Sequence, residues 1–252
     1  MTPGFDIRQV LNDVARAVWL DLPAIMLSGL LTVAIPIGCS FWFGSGGSAD
    51  VLIILAQGFA ACLFGAIVAH GVIARRRGSP LPPAEFVLRG LRASQPGVNI
   101  GLVLASVLMI APIALTLTDA LGLGDVAALL VRVAAIAAAT AVIVRYLPVI
   151  AVAVAERLGP VGAMGQAAAL TAGHRVSLMF VTAVVGWAAV LVPAVVGVVV
   201  FGSDTETARA VLGELRGGWF DVRVWLLMLA ITLGGGIAAA LPPVVYLALR
   251  EG

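Results

Sequence analysis

Six stretches of this chain are apolar for about twenty residues or more, and nothing else limits its fold so strongly. They run from Leu22 to Phe43, Val51 to Ala74, Val98 to Thr118, Val126 to Ala155, Ser177 to Phe201 and Val224 to Leu249. Crossing roughly 30 Å of hydrocarbon takes about 20 apolar residues in a helix, so each stretch suffices for one passage. The rest of the chain offers no soluble alternative. Of its 252 residues 62% are hydrophobic and 11% charged, where soluble domains carry about 25% charged residues. The expected fold is an all-α membrane protein with six transmembrane helices, a single integral membrane domain over residues 1–252.

The arginines orient it. Arg8 and Arg16 precede the first stretch; Arg75, Arg76, Arg77, Arg89 and Arg92 lie between the second and third, Arg157 and Arg175 between the fourth and fifth, and Arg250 near the end. The opposite connections carry only Arg209, Arg216 and Arg223, among four acidic residues. Positive charge is retained on the cytoplasmic side, so both termini are expected there. All fifteen basic residues are Arg, and Ala, Val and Gly dominate, which suggests a GC-rich bacterial genome and hence an inner membrane. The start lacks the basic, small-residue pattern of a removable signal peptide. Cys39 and Cys62 fall at different expected depths, so both read as packing residues rather than a disulfide.

Segments too polar to cross punctuate the cytoplasmic side. "FDIRQVLNDVARAV" from Phe5 sets Ile7, Val10, Leu11, Val14 and Val18 on one helical face. "PPAEFVLRGLRAS" and "GPVGAMGQAAALTAG" begin with helix-starting prolines, and the latter ends at Gly173. Each is expected to lie in the interface as a short amphipathic helix. Each leads into an outgoing stretch with a proline toward its far end (Pro36, Pro112, Pro193), followed by a returning stretch. Two returning stretches share a phrase: "LPVIAVAVAERLG" around Pro148 to Glu156 and "LPPVVYLALREG" around Pro243 to Glu251. The chain therefore reads as three parallel two-helix repeats, about 1–78, 79–158 and 159–252, each preceded by an interfacial helix.

Glu156, Gly159, Pro160, Ala163, Leu170 and Gly173 form the pattern "E..GP..A......L..G", eight residues after Pro148. This region resembles the membrane domain of glycerophosphoryl diester phosphodiesterases and related six-span bacterial membrane proteins. The family often has Arg-Ser mid-helix where this chain has Gln166 and Ala167, so no anion contact is implied there. Phosphodiesterase activity belongs to a separate soluble barrel in that family, for which these 252 residues leave no room. The resemblance implies a membrane fold and an accessory role, without an active site.

Few residues suggest chemistry. Arg145 lies about 16 Å up a helix from Glu156 at about 1.5 Å per residue, close to the bilayer midplane. An arginine there costs roughly 2.5–3.5 kcal/mol, which calls for a lipid phosphate or a partner among Asp21, Gln57 and Asn99. The alternative is a helix ending near Tyr146, with Arg145 snorkelling and Pro148 opening an extension. Arg132 reads as a headgroup anchor, Trp19, Trp42, Trp219 and Trp225 as interface residues, and Trp187 as a deeper packing residue. Gly234 to Gly236 and Pro242 with Pro243 weaken the last stretch in two places, which reads as kinks with close small-residue packing in preference to a transporter-type break. The run Arg75, Arg76, Arg77 suits anionic lipid better than nucleic acid. "GSGGS" at Gly44 reads as a turn rather than a P-loop, and His70 and His174 lack metal-ligand spacing. No cofactor, metal or catalytic constellation is expected. The functional expectation is a non-enzymatic scaffold or lipid-associated accessory protein; the alternative is a small permease or channel component with a pathway near Arg145.

Overall fold

The computed structural model describes residues 5–34, 48–108, 125–202 and 222–251, all of it helix and connecting turns. Pro36, Cys39, Trp42, Pro112, Arg209, Arg216 and Trp219, on which expectations were placed above, lie outside the described residues. In chain order the helices are α1 (Ile7–Leu20), α2 (Leu22–Gly29, continued as a π-helical segment Leu30–Ala34), α3 (Ser48–Arg76), α4 (Pro83–Ala93), α5 (Gln95–Leu108), α6 (Asp125–Tyr146), α7 (Val149–Glu156), α8 (Pro160–Leu170), α9 (Arg175–Phe201) and α10 (Val222–Glu251). Among the described residues four spans are long and apolar enough to cross a membrane: α3 from Ala56, α6 with α7, α9, and α10 from Trp225; bent α1 and α2 together raise the number to five.

α1 is amphipathic as its spacing requires, with Val10, Val14 and Val18 buried one turn apart. Asp6 caps its start by accepting from the backbone N–H of Arg8 at 2.9 Å and of Gln9 at 3.3 Å. At Asp21 the axis turns by 74° into α2. Pro23, at the start of α2, has no N–H with which to continue the α1 ladder, which makes this a natural place to turn.

Three helix ends meet at the centre. α3, α7 and α10 pack against one another in pairs, while the short helices ride on them: α1 on α10, α4 on α3, α8 on α7. The α3–α4 contact depends on glycine. A Cβ on Gly71 would overlap the buried ring of Phe86, and one on Gly90 would sit 2.8 Å from Ile67 Cγ2. Phe64, Ile67, Val68, Phe86, Leu178, Val181 and Val245 form one core, and Ile100, Val149, Val152, Ala163, Ala167 and Tyr246 a second beside it.

The long helices differ in burial. In their most apolar windows α3 and α10 are 50% and 56% buried, whereas those of the α6–α7 span and of α9 are each 6% buried, so α3 and α10 are central with α7, while α6 and α9 are peripheral. Trp187 is correspondingly 66% exposed on α9; the packing role expected for it is not what the fold shows, because its face of α9 points away from α10. In the last stretch close packing, and not a break, is what the fold shows: α10 is one helix through Gly234–Gly236 and both prolines. Its glycines are contact points. Pro193 in α9 has no N–H to offer the Ala189 carbonyl, and Gly234 lets α10 approach that carbonyl so closely that a Cβ would collide with it. Gly236 similarly admits Ile25, whose Cγ2 would be 2.5 Å from a Cβ.

Candidate functional site at the arginine-rich end

The helix ends that carry the arginines converge on a layer of ion pairs. Asp21, 3% exposed at the α1–α2 turn, accepts from Arg75 Nε through both carboxylate oxygens at 2.8 and 2.9 Å and also from its Nη2. Arg75 Nη2 reaches the Leu20 carbonyl at 3.3 Å as well. The guanidinium thus closes the orphan end of α1 and neutralises a buried carboxylate in one contact.

The neighbouring arginine has a different partner. Arg76 Nη2 donates to Glu251 at 3.1 Å, a pair with both side chains about half exposed. Glu156, 18% exposed, accepts from the Tyr246 hydroxyl at 2.9 Å and from Arg250 Nη1, while the Arg250 guanidinium also lies 5.7 Å from the Tyr246 ring centroid. The two glutamates of the duplicated phrase are therefore cross-linked: Glu156 holds α7 to α10, and Glu251 holds α10 to α3. Sequence repetition marked both residues as helix ends without revealing that each is bonded to a different helix.

Between α1 and the ends of α3 and α10 lies a cleft of about 630 Å³. Asp6, Asp13, Arg16, Asp21, Arg75, Arg76 and Glu251 give it mixed charge, and Phe5 against His174 (ring centroids 5.7 Å apart) forms one wall. Asp6, Asp21, Arg75, Arg76 and Glu251 are committed to capping or to pairing with one another, an arrangement that fastens helices. Among the described residues no group of three His, Cys, Asp or Glu side chains is placed to hold a metal ion.

Arg145 stands apart from this layer. Its helix ends at Tyr146, and its exposed guanidinium lies 5.4 Å from the Tyr146 ring centroid. Pro148 has no N–H for the Val144 carbonyl, so the ladder stops and α7 restarts at Val149. The freed Arg145 carbonyl accepts from the buried Thr171 hydroxyl at 2.9 Å. Asp21, raised as a partner for Arg145, is instead engaged by Arg75; no bond joins the Arg145 side chain to Gln57 or Asn99 among the described residues, both of which are exposed. Arg77 is exposed in the turn after α3, which Gly78 closes at φ +79°.

The "E..GP..A......L..G" residues have legible structural duties. Glu156 makes the α7–α10 tie, Gly159 and Pro160 start α8, and Ala163 is fully buried against α7 and its neighbours. Leu170 packs on the second core, and Gly173 takes φ +90°, a left-handed turn that glycine adopts without strain. Compared with family models, curated proteins and solved structures, the chain shows no significant match.

Proposed function

We propose that this chain is a lipid-associated, non-catalytic accessory or scaffold protein of a bacterial inner membrane, with six spans and both termini cytoplasmic. The observation that carries the reading is the arginine-rich layer, where the acids of the duplicated phrases and of α1 are used to tie helices together. Such a layer builds a rigid platform at headgroup depth, and its surplus arginines face anionic lipid. The barely buried α6 and α9 supply an apolar surface suited to lipid tails or to another membrane helix.

Three-repeat organisation has independent support in the packing. Each interfacial helix lies on the last helix of the unit before it: α4 on α3, α8 on α7, and α1 on α10, which closes the circle. A pseudo-threefold arrangement of returning helices produces that order. The resemblance to the membrane domain of glycerophosphoryl diester phosphodiesterases favours the same accessory role, since its motif residues serve helix ends and packing here.

The permease reading centres on Arg145, and neither cleft of the arginine-rich end is lined by it. Reconstitution into liposomes of mixed neutral and anionic phospholipid separates the two. The accessory reading expects anionic lipid to co-purify through size exclusion and no protein-dependent ion or solute leak. A flux that Arg145→Gln abolishes would replace this reading with the transporter.

A further inference from the structure

A second cleft, of about 610 Å³, opens beside the first and has a different character. Its wall is assembled from four helices and a turn: His70 and Ala74 on α3, Ser79 in the turn, Arg89 and Arg92 on α4, Gln95 at the start of α5, and Arg157 at the end of α7. No acidic residue lines it. The nearest acids of these elements are already spent. Glu85 pairs with Arg89 at 2.7 Å, and Glu156 is held by Tyr246 and Arg250. Among the described residues Arg92 and Arg157 make no ion pair, and Arg77, Arg89 and Arg157 all lie within electrostatic range of His70.

Arg92 and Arg157, with Arg89 offset by Glu85, bring like charges to one concavity, an arrangement from which folding gains nothing unless an anion joins them. Three features show which anion fits. Guanidinium groups present paired N–H donors that match phosphate oxygens. The first turn of the 14-residue α5 opens into the cleft at Gln95 and Pro96, adding the positive end of a helix dipole. Ser79 and Gln95 supply neutral donors. Arg157 adopts a left-handed backbone (φ 53°) where α7 gives way to α8, and from there it lines this cleft. The same helix that carries Arg89 and Arg92 into the cleft exposes Leu88 (57%) and Leu91 (41%), an apolar face along which acyl chains can lie.

We propose that the cleft bounded by His70, Arg89, Arg92 and Arg157 binds a phosphate-bearing anion, with the headgroup of an anionic glycerophospholipid as the source the exposed α4 leucines favour. The inference rests on the lipid-associated reading above and assigns that association to one place.

The test uses full-length protein in nanodiscs, with the double variant Arg92→Gln/Arg157→Gln and a charge-matched control, Arg8→Gln/Arg175→Gln, outside the cleft. In the lipid arm the discs contain phosphatidylcholine with a minor fraction of phosphatidylglycerol, and native mass spectrometry counts the retained anionic lipid. In the soluble arm the discs are pure phosphatidylcholine, titrated calorimetrically with inorganic phosphate and glycerol 3-phosphate. Wild type and control are expected to retain phosphatidylglycerol, with at least a tenfold loss in the double variant and no heat from either soluble phosphate. Soluble phosphate binding that disappears in the double variant keeps the site and overturns the lipid source. Equal lipid retention in all three proteins, without phosphate heat, overturns the site while leaving lipid association standing; no retention by wild type removes both. Arg92→Gln alone, at an exposed position of α4, gives the same readout should the double variant not fold.

Discussion

The Arg75–Asp21 pair makes a quantitative prediction because its two members are unequally buried. Asp21 is 3% exposed, whereas the Arg75 side chain is 31% exposed. Removing one partner of a buried ion pair costs about 3–5 kcal/mol, much of it from the charge left behind. Arg75→Met keeps the aliphatic stem and strands the almost fully buried carboxylate of Asp21, so the cost should sit in that range. Asp21→Asn strands a guanidinium that can swing to solvent and still bond an amide oxygen, so the cost should fall to about 1–2 kcal/mol, near that of a lost charge-assisted hydrogen bond. Roughly 2–4 °C of melting temperature per kcal/mol is typical for a chain of this size. Arg75→Met should therefore lower the unfolding midpoint, followed by size exclusion of the detergent-solubilised protein, by about 6–20 °C. Asp21→Asn should lower it by about half as much or less, and the double variant Asp21→Asn/Arg75→Met should recover part of the Arg75→Met loss. A larger effect for Asp21→Asn than for Arg75→Met, or strict additivity in the double variant, would refute the burial argument.

Other substitutions probe other levels of the account. Gly71→Ala drives a methyl into the Phe86 ring and should destabilise by about 1–3 kcal/mol, whereas Gly58→Ala, with nothing within 4 Å of a new Cβ, should be neutral or gain up to about 1 kcal/mol of helix propensity; thermal stability of the two variants side by side checks the difference. Thr171→Val removes the hydroxyl that satisfies the Arg145 carbonyl and should cost about 1–3 kcal/mol, while Thr171→Ser should retain most of the stability in the same melt. Tyr246→Phe deletes a 2.9 Å bond to Glu156 and the one its hydroxyl accepts from Arg250, yet leaves the Glu156–Arg250 pair in place, so a loss of about 1 kcal/mol is expected, and the double variant with Glu156→Gln should lose less than the sum of the two single losses.

Much of the architecture was legible because bilayers impose length and polarity. Apolar run length located the helices that are described, and the period of Val10, Val14 and Val18 identified α1 and its buried face. Periodicity says which face of a helix is covered, not what covers it. Hence the Trp187 face of α9 was misjudged, whereas the close packing read into Gly234–Gly236 is what α10 shows, with buried neighbours such as Ala240, Leu241 and Val245 holding a helix that its local sequence weakens. The ion pairs were hidden for a related reason. Asp21 and Arg75 are 54 residues apart, and Glu156 and Arg250 are 94 apart; their types suggest pairing, but several arginines compete for each acid until the fold selects one. Two readings of Arg145 stood open from sequence, an unbroken rod through Pro148 or a helix ending near Tyr146, and the chain ends one helix at Tyr146 and begins another at Val149, as the second has it. The cleft at His70 and Arg157 carried no local motif, since its cationic side chains come from three separate helices.

The central claim is that paired helices cross a membrane with their arginine-rich ends inside the cell, and labelling of single cysteines tests it most directly. In a background with Cys39 and Cys62 replaced by serine, reporters at Ser48, Gly122 and Ser203 should react with an impermeant maleimide on intact cells. Reporters at Ser79, Gly159 and Ala172 should react only after permeabilisation. Labelling of Ser79 from outside, or protection of any one of the first three, would contradict the proposed topology and remove the arginine layer from the side on which this account depends.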